Sequence, residues 1–531
     1  MAVSPDKPSS QSGGSRASLV AAGILLSRLA GLVRLRVFSH YFGLSSEAAD
    51  AFNAAFRIPN FLQNLFGEGV LSASFIPVYA RLLAKGEDEE ARRVAGAVLA
   101  TLALSVSLLV LGGVLAAPWL IDVIAPGFHN SKRELAVHLV RILFPGAGVL
   151  VMSAWCLGIL NSHRKFLLSY SAPVIWNLAM IGTLVWAGNK DGLDSLAVTL
   201  AWGSVVGSAL QFAVQIPSVV RLAGRVRVRL ETKDPEVRTV VRNFGPVFLS
   251  RGAVQISAYV DSILASLLPA GAVTGLFNAQ ILYTLPVSLF GMSVSAAELP
   301  AMSGALGSKE EVAAYLRKRL ESGLRQIAFY IVPSAMGFLA LGDVIAGALL
   351  ETGRFSRADA IYTWGILAGS SVGLLASTMG RLFSSAFYAL RDTRTPLKFA
   401  VIRVGLTGAL GYVAALWLPG WIGIEARWGA AGLTASAGVA GWVEFLLLRR
   451  ALSARIGRAG VSPKLLAKLW AAAAVAAAFA TAARRFIHGT HPVIEGVVVL
   501  GVFGAVYFAG TAAMRVPEMN GLVKRVRRLV L

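Results

Sequence analysis

Two neighbouring segments decide the fold: SRLAGLVRLRVFSHYFG at residues 27–43 and ADAFNAAFRIPNFLQNLFGEGVLSASFIP at residues 49–77. Both are predominantly apolar, yet they contain the charged residues Arg28, Arg34, Arg36, Asp50, Arg57 and Glu68. A charge inside a membrane helix is costly, so it usually faces a water-filled cavity or an opposite charge. The two segments therefore predict one wall of a charged cavity within a membrane protein.

The whole chain has the composition of a polytopic membrane protein. Of its 531 residues, 56% are hydrophobic and 15% are charged, whereas soluble domains carry about 25% charged residues. Long apolar runs recur, for example at residues 94–125, 196–220 and 401–419, and a helix needs about 20 mostly apolar residues to cross a bilayer. Lipid excludes open sheet edges, so we predict an all-α fold with about 14 transmembrane helices.

The positions of the basic residues predict the orientation of these spans. The expected spans lie at residues 17–41, 51–83, 94–124, 133–160, 166–188, 194–221, 239–268, 272–304, 312–342, 358–390, 397–418, 428–450, 464–485 and 493–514. Most Lys and Arg side chains fall in the even-numbered gaps, which places those gaps and both termini in the cytoplasm. The net charge of +22 is thus loop charge, and we expect no nucleic-acid partner.

The charges of the first two spans leave two interpretations open. At 100° per residue, Asp50, Arg57 and Glu68 fall near one stripe of the second span, and Arg28 and Arg34 lie about 120° apart on the first. Guanidinium groups bind phosphate bidentately, which favours a cavity for an anionic substrate. Alternatively, the arginines pair with Asp50 and Glu68 as structural ion pairs. No Walker, HExxH or GxSxG motif is present, so the sequence indicates a transporter rather than an enzyme.

Several short motifs together resemble one known family. In the two neighbouring segments they are Ser27-Arg28, Gly31, Arg34, Phe42-Gly43, ADAF at 49–52, FRIPN at 56–60, LFGEG at 65–69 and FIP at 75–77. Later stretches agree, with DSILAS at 261–266, FYA at 387–389 and DTRTP at 392–396. The chain resembles the MurJ/MviN lipid II flippases of the multidrug/oligosaccharidyl-lipid/polysaccharide (MOP) superfamily.

The resemblance implies a fold of two pseudo-symmetric lobes and a C-terminal helix pair. The expected divisions are a disordered cytoplasmic tail at 1–16, an N-terminal lobe at 17–221, a basic cytoplasmic linker at 222–238, a C-terminal lobe at 239–456, a helix pair forming a lipid-tail groove at 457–516 and a basic cytoplasmic tail at 517–531. Such a protein carries lipid II, the undecaprenyl-pyrophosphate-linked peptidoglycan precursor, from the inner to the outer leaflet of the bacterial cytoplasmic membrane by alternating access.

The resemblance also implies roles for single residues. Arg28, Arg34 and Asp50 match the substrate-binding cavity, to which we assign Arg57 and Arg251 as further cations. Glu68 and Arg381 match a gate that closes by pairing. Asp261 and Asp392 match carboxylates of a sodium site, so we expect Na+ or another coupling ion and no further cofactor. The expected partners are the lipid-linked substrate and membrane lipids, and we expect a monomeric or weakly associated protein.

Four departures from the family pattern leave the substrate open. Leu35 stands where the family usually has an acid directly after the second arginine, and Gln63 stands where the family has an arginine. Gln280-Ile281 replaces the usual Asp-Arg pair. The alternatives are therefore a paralogous flippase for another polyprenyl-pyrophosphate glycan, an ion-coupled small-molecule antiporter of the same superfamily and a membrane scaffold without transport.

Overall fold

The computed structural model describes residues 11–66, 71–190, 192–224, 226–231, 234–305, 307–487 and 489–519. Within these ranges the chain is helical and forms no sheet, which confirms the all-α class. The helices are α1 (Gln11–Phe42), α2 (Glu47–Phe66), α3 (Ser72–Ala84), α4 (Asp88–Leu115), α5 (Ala117–Ile124), α6 (Asn130–Ser162), α7 (Phe166–Ala187), α8 (Leu193–Ala223), α9 (Pro235–Ser266), α10 (Ala272–Pro286), α11 (Ser293–Ser303), α12 (Lys309–Leu350), α13 (Arg357–Ala389), α14 (Arg394–Tyr412), α15 (Leu418–Ile422), α16 (Gly429–Ile456), α17 (Pro463–Ile487) and α18 (Pro492–Ala513). Wider π-helical turns at Val287–Met292 and Val413–Trp417 follow α10 and α14.

Eleven helices or helix pairs of the described chain are long and apolar enough to cross a membrane. They include α4, α6, α7 and α8, and every one of the predicted spans from the eighth to the fourteenth. The helices α1, α2 and α9, which carry the charges of the first, second and seventh predicted spans, are not in that set. The structure thus supports a multi-pass membrane protein, and the count of about 14 spans stays a prediction.

Local sequence explains where several helices begin and end. Ser308 and Ser356 open α12 and α13 with capping boxes, in which each serine accepts a hydrogen bond from the backbone three residues on and the acid there returns one. Gly43 ends α1 with a φ of 68°, and a Cβ at this position would lie 2.9 Å from the carbonyl oxygen of Arg354. Only glycine fits this turn without strain.

The chain divides into two compact units. Unit 1 is Met1–Phe42 with Ser46–Tyr259, and unit 2 is Gly43–Ser45 with Val260–Leu531. The division falls within α9, and the last two helices belong to unit 2.

Unit 1 is built around α6, which packs against α2, α4 and α8. Phe75 of α3, Val94 of α4 and Ile159 of α6 are fully buried in this core. The indole of Trp155 donates a 3.1 Å hydrogen bond to the carbonyl of Ala95, so α6 and α4 are joined by a polar contact as well as by packing.

Unit 2 is built around α13, which packs against α12, α16 and α10. Small residues allow the closest approach: a Cβ at Gly373 would lie 2.4 Å from the Cα of Gly438 on α16. Gly365 and Gly369 make room in the same way for Trp428 and for Thr434. Small residues at such contacts let membrane helices approach backbone to backbone.

The C-terminal helix pair α17–α18 packs on α12 and is tied to it at several levels. Arg484 of α17 pairs with Asp343 of α12 at 2.9 Å and with Glu495 of α18 at 2.7 Å. Farther along α18, the hydroxyl of Tyr507 donates a 2.6 Å hydrogen bond to the carbonyl of Phe329. The helices α17 and α18 are therefore firmly packed into unit 2.

Candidate functional site

Arg34 lies inside unit 1 without a carboxylate partner in the described chain. Its Cζ atom lies 4.9 Å from the ring centroid of Trp176 on α7 and 5.4 Å from that of Phe56 on α2. Its Nη1 contacts the sulfur of Met180 at 3.3 Å. A guanidinium on aromatic faces keeps its charge, because the rings attract the cation without neutralising it. This environment suits the recognition of an anion.

Stacked rings hold the helices around Arg34 together. Phe38 and Phe42 of α1 stack at 4.5 Å between centroids, and Phe38 lies 5.6 Å from Phe52 of α2. The series continues through Phe56 to Trp176, each step being 5.6 Å. Since aromatic pairs bury much area in a fixed geometry, α1, α2 and α7 present Arg34 in a defined place.

Asp50 forms a buried ion pair with Lys132, a partner that the sequence did not reveal. The Nζ atom of Lys132, in the first turn of α6, lies 2.9 Å from Oδ2 of Asp50, and the two side chains are only 12% and 1% exposed. The ammonium also lies 4.3 Å from the ring centroid of Phe128. Within the described residues Asp50 does not pair with Arg28 or Arg34, so the ion-pair interpretation of those arginines with Asp50 is wrong.

The other predicted substrate-binding arginines lie in three different settings. Arg28, on α1, is exposed and has no hydrogen bond or ion pair to the part of the chain that the structure describes. Arg57, on α2, is half-buried, and its carbonyl accepts a 3.0 Å hydrogen bond from Tyr259 of α9. Arg251 belongs to α9, and its side chain lies outside the described residues. Their substrate contacts stay predictions.

The predicted gate is only half described. Arg381 lies on α13 with its side chain exposed and without an ion pair to any described residue. Glu68 lies outside the described residues. The Glu68–Arg381 pair therefore stays a prediction.

Of the two predicted sodium ligands, Asp392 has the contacts that the structure defines in detail. Asp392, in the turn before α14, accepts hydrogen bonds from the backbone of Arg394 and from the backbone and hydroxyl of Thr395, and it pairs with Arg455 at 2.7 Å. These bonds, those of Thr395 foremost, lower the pKa of Asp392 to about 2. Asp261 lies on α9. Among the described residues no three His, Cys, Asp or Glu side chains are grouped as metal ligands would be, and the sodium site stays a prediction.

Sequence reasoning missed Lys132, Trp176, Phe56 and Met180 as neighbours of the charged residues. Lys132 is 82 positions from Asp50, and Trp176 is 142 from Arg34. The one available signal was that Lys132 is one of few cations in the odd-numbered gaps. Nothing in a single sequence distinguishes Trp176 from the other aromatic residues of the spans.

Comparison with protein families matches residues 38–502 of this chain to the model described as lipid II flippase MurJ. A Burkholderia cenocepacia protein named lipid II flippase MurJ is 30% identical over 82% of both chains. A Rhizobium meliloti protein named probable lipid II flippase MurJ is 31% identical over 81% of this chain and 78% of its own.

Solved structures agree at the level of the fold. A structure titled lipid II flippase MurJ, inward closed conformation, matches with a TM-score of 0.76 and 22% identity, over 93% of this chain and 98% of that one. An inward-facing multidrug resistance MATE family transporter of the MOP superfamily matches with a TM-score of 0.65 and 17% identity, over 81% of this chain and 95% of that one. The family match covers most of the chain, the identity reaches 31% in relatives aligned over most of their length, and the fold agrees. The chain belongs to the MurJ family of lipid II flippases.

Proposed function

We propose that this protein carries lipid II, or a closely similar polyprenyl-diphosphate-linked glycan, from the inner to the outer leaflet of the bacterial cytoplasmic membrane. Family membership supports the substrate class. The observation that carries the chemistry is Arg34, a guanidinium that lies against two rings and a thioether with no carboxylate beside it in the described chain.

The diphosphate is the natural anion for this group. A guanidinium presents five N–H donors in a plane and binds phosphate oxygens bidentately, whereas an ammonium offers a single point of charge. Each charged hydrogen bond contributes about 1.5–3 kcal/mol. Arg34 therefore supplies enough to select a diphosphate over a neutral headgroup, while the exposed Arg28, six residues earlier on α1, is a second donor for the same substrate.

The same proposal covers the topology and the transport cycle. Fourteen spans with both termini in the cytoplasm account for the alternating loop charges, and transport proceeds by alternating access. We place the gate at Glu68 and Arg381. We place the coupling ion at Asp261 and Asp392, where sodium binding requires Asp392 to exchange its Arg455 partner for the ion.

The test is complementation of bacterial cells depleted of their own MurJ. We expect the wild-type chain to restore growth, and Arg34→Ala to abolish rescue at an unchanged level of protein in the membrane. Arg427→Ala is the matched control, because Arg427 also lies over two rings, those of Tyr362 and Trp428, but pairs with Glu425 at 2.8 Å. We expect this control to rescue fully.

Each failure has its own meaning. If the wild-type chain reaches the membrane and does not restore growth, lipid II is not its substrate, and the paralogous-flippase and antiporter alternatives take precedence. If the wild type and Arg34→Ala rescue equally, the flippase function stands but Arg34 does not recognise the diphosphate.

A further inference from the structure

We propose that Trp176 is a positioning residue that holds the Arg34 guanidinium ready for the diphosphate of the substrate. The inference rests on the proposed function and adds to it a residue that does not itself touch the substrate. Trp176 lies on α7, 142 positions from Arg34, and the two meet within unit 1.

The ring geometry leaves the hydrogen-bonding edge of Arg34 available. The rings of Trp176 and Phe56 are nearly parallel, with 10° between their planes and 5.6 Å between centroids, and Arg34 lies over both. Aromatic faces attract a guanidinium through its π-surface and consume none of its N–H donors. Its one hydrogen-bond contact in the described chain is the sulfur of Met180, a weak acceptor. A carboxylate partner would instead occupy the fork that a phosphate needs.

Trp176 is itself held in place by contacts with α8. Its indole Nε1 donates to the carbonyl oxygen of Ser204 at 3.1 Å and lies 3.2 Å from the Ser204 hydroxyl. Gly207, one turn later, leaves room for the indole, since a Cβ there would lie 2.9 Å from Cδ1 of Trp176. The indole thus has a defined orientation before any substrate arrives.

This arrangement lowers the cost of binding. An arginine side chain held in its binding conformation loses less entropy when it meets a phosphate than a free one does. A residue that positions a binding group through packing and hydrogen bonds acts in this way. Trp176 and Ser204 together therefore convert a flexible cation into a preorganised one.

The experiment measures binding of undecaprenyl diphosphate to the purified full-length protein by native mass spectrometry. We expect Arg34→Ala to weaken binding at least tenfold and Trp176→Leu to weaken it about fivefold. Trp176→Phe, which restores a ring, should recover most of the loss. Trp186→Leu is the matched control, because Trp186 lies on the same helix and has Lys190 over its ring at 4.1 Å, and it should bind like the wild type.

A double variant separates positioning from a general structural effect. If Trp176 acts through Arg34, adding Trp176→Leu to Arg34→Ala weakens binding no further. Should Trp176→Leu fail to fold, Gly207→Ala displaces the indole instead, and Gly182→Ala on α7, whose Cβ would meet nothing within 4 Å, is its control. The inference is overturned if Trp176→Leu binds like Trp186→Leu, or if its effect persists without Arg34. Normal binding by Arg34→Ala would instead contradict the diphosphate role of Arg34 in the proposed function.

Discussion

The buried pair of Asp50 and Lys132 makes a quantitative prediction about stability. Lys132→Met removes the ammonium and leaves a carboxylate that is 1% exposed. Removing one member of a buried ion pair costs about 3–5 kcal/mol. Lys132 is still 12% exposed and Asp50 has a further interaction besides Lys132, so we expect a loss at the lower end, about 3 kcal/mol. This corresponds to roughly a hundredfold change in the unfolding equilibrium.

The neighbouring residue provides the control. Arg133 also pairs with an aspartate, Asp122, through hydrogen bonds of 2.6 and 2.9 Å, but both side chains are well exposed. Surface pairs contribute about 0–1 kcal/mol, so Arg133→Met should change the free energy of unfolding by less than about 1 kcal/mol. Both variants are compared with the wild type by reversible denaturant unfolding in detergent micelles.

The single variant Asp50→Asn and the double variant Asp50→Asn/Lys132→Met complete the cycle. Because the double variant has no buried charge to compensate, it should recover more than half of the stability lost by Lys132→Met. Equal stability of Lys132→Met and Arg133→Met would refute the prediction, as would a double variant that loses the sum of the Asp50→Asn and Lys132→Met losses.

Three further predictions concern packing, pH and a single hydrogen bond. Gly438→Ala places a Cβ 2.7 Å from the backbone nitrogen of Gly373 and should lower the free energy of unfolding by about 1–3 kcal/mol. Gly441→Ala, whose Cβ meets nothing within 4 Å, should leave it unchanged. Thermal unfolding of the two variants and the wild type measures the difference. Burial lowers the pKa of His163 below its ordinary 6.5, an effect that Asp88 opposes. As the pH falls, the imidazole is therefore protonated in the unfolded chain before it is protonated in the folded one, and the free energy of unfolding decreases below about pH 6.5. A His163→Gln variant should lack that component in unfolding measured from pH 7.5 to 5.5; an unchanged pH profile would contradict the assignment. Tyr507→Phe removes the hydroxyl bonded to Phe329 and should lower the free energy of unfolding by about 1 kcal/mol. No change would mean that this hydrogen bond adds nothing to the contact between α18 and α12.

The all-α class and the family could be predicted because both depend on patterns within short stretches of the sequence. Runs of apolar residues identify the spans whatever their neighbours are, and motifs such as FRIPN at 56–60 and LFGEG at 65–69 identify the family. The charges within the first two apolar spans likewise predict that Arg34 and Asp50 face a cavity or an opposite charge. These inferences need no knowledge of which helices touch.

The partners of those charges could not be predicted because they depend on contacts between distant helices. Asp50 lies on α2 and its cation on α6, and helical periodicity of α2 alone cannot select Lys132 over any arginine. Arg34 is supported by rings from α2 and α7 rather than by a carboxylate. A cation that lies against aromatic rings has no acidic partner that a search of the sequence could find. Matching each basic residue to an acidic one therefore gives the wrong neighbours for Arg34.

The spacing of small residues is a second case in which structure decides. The pairs Gly203–Gly207 and Gly365–Gly369 are four residues apart, a spacing that chance also produces in a chain with 54 glycines. The structure shows that both pairs have close neighbours: Gly203 meets Thr183, Gly207 meets Trp176, and Gly369 meets Ala431. Replacement of these glycines therefore acts on helix approach, and at Gly207 on the indole that supports Arg34.

The most direct measurement of the central claim is lipid II translocation by the purified protein in sealed vesicles, followed as the fraction of lipid II that an added hydrolase reaches from outside. We predict that the wild-type chain moves lipid II across the bilayer and that Arg34→Ala does not, while Arg427→Ala equals the wild type. Translocation by Arg34→Ala at the wild-type rate, or none by the wild type itself, would contradict the account.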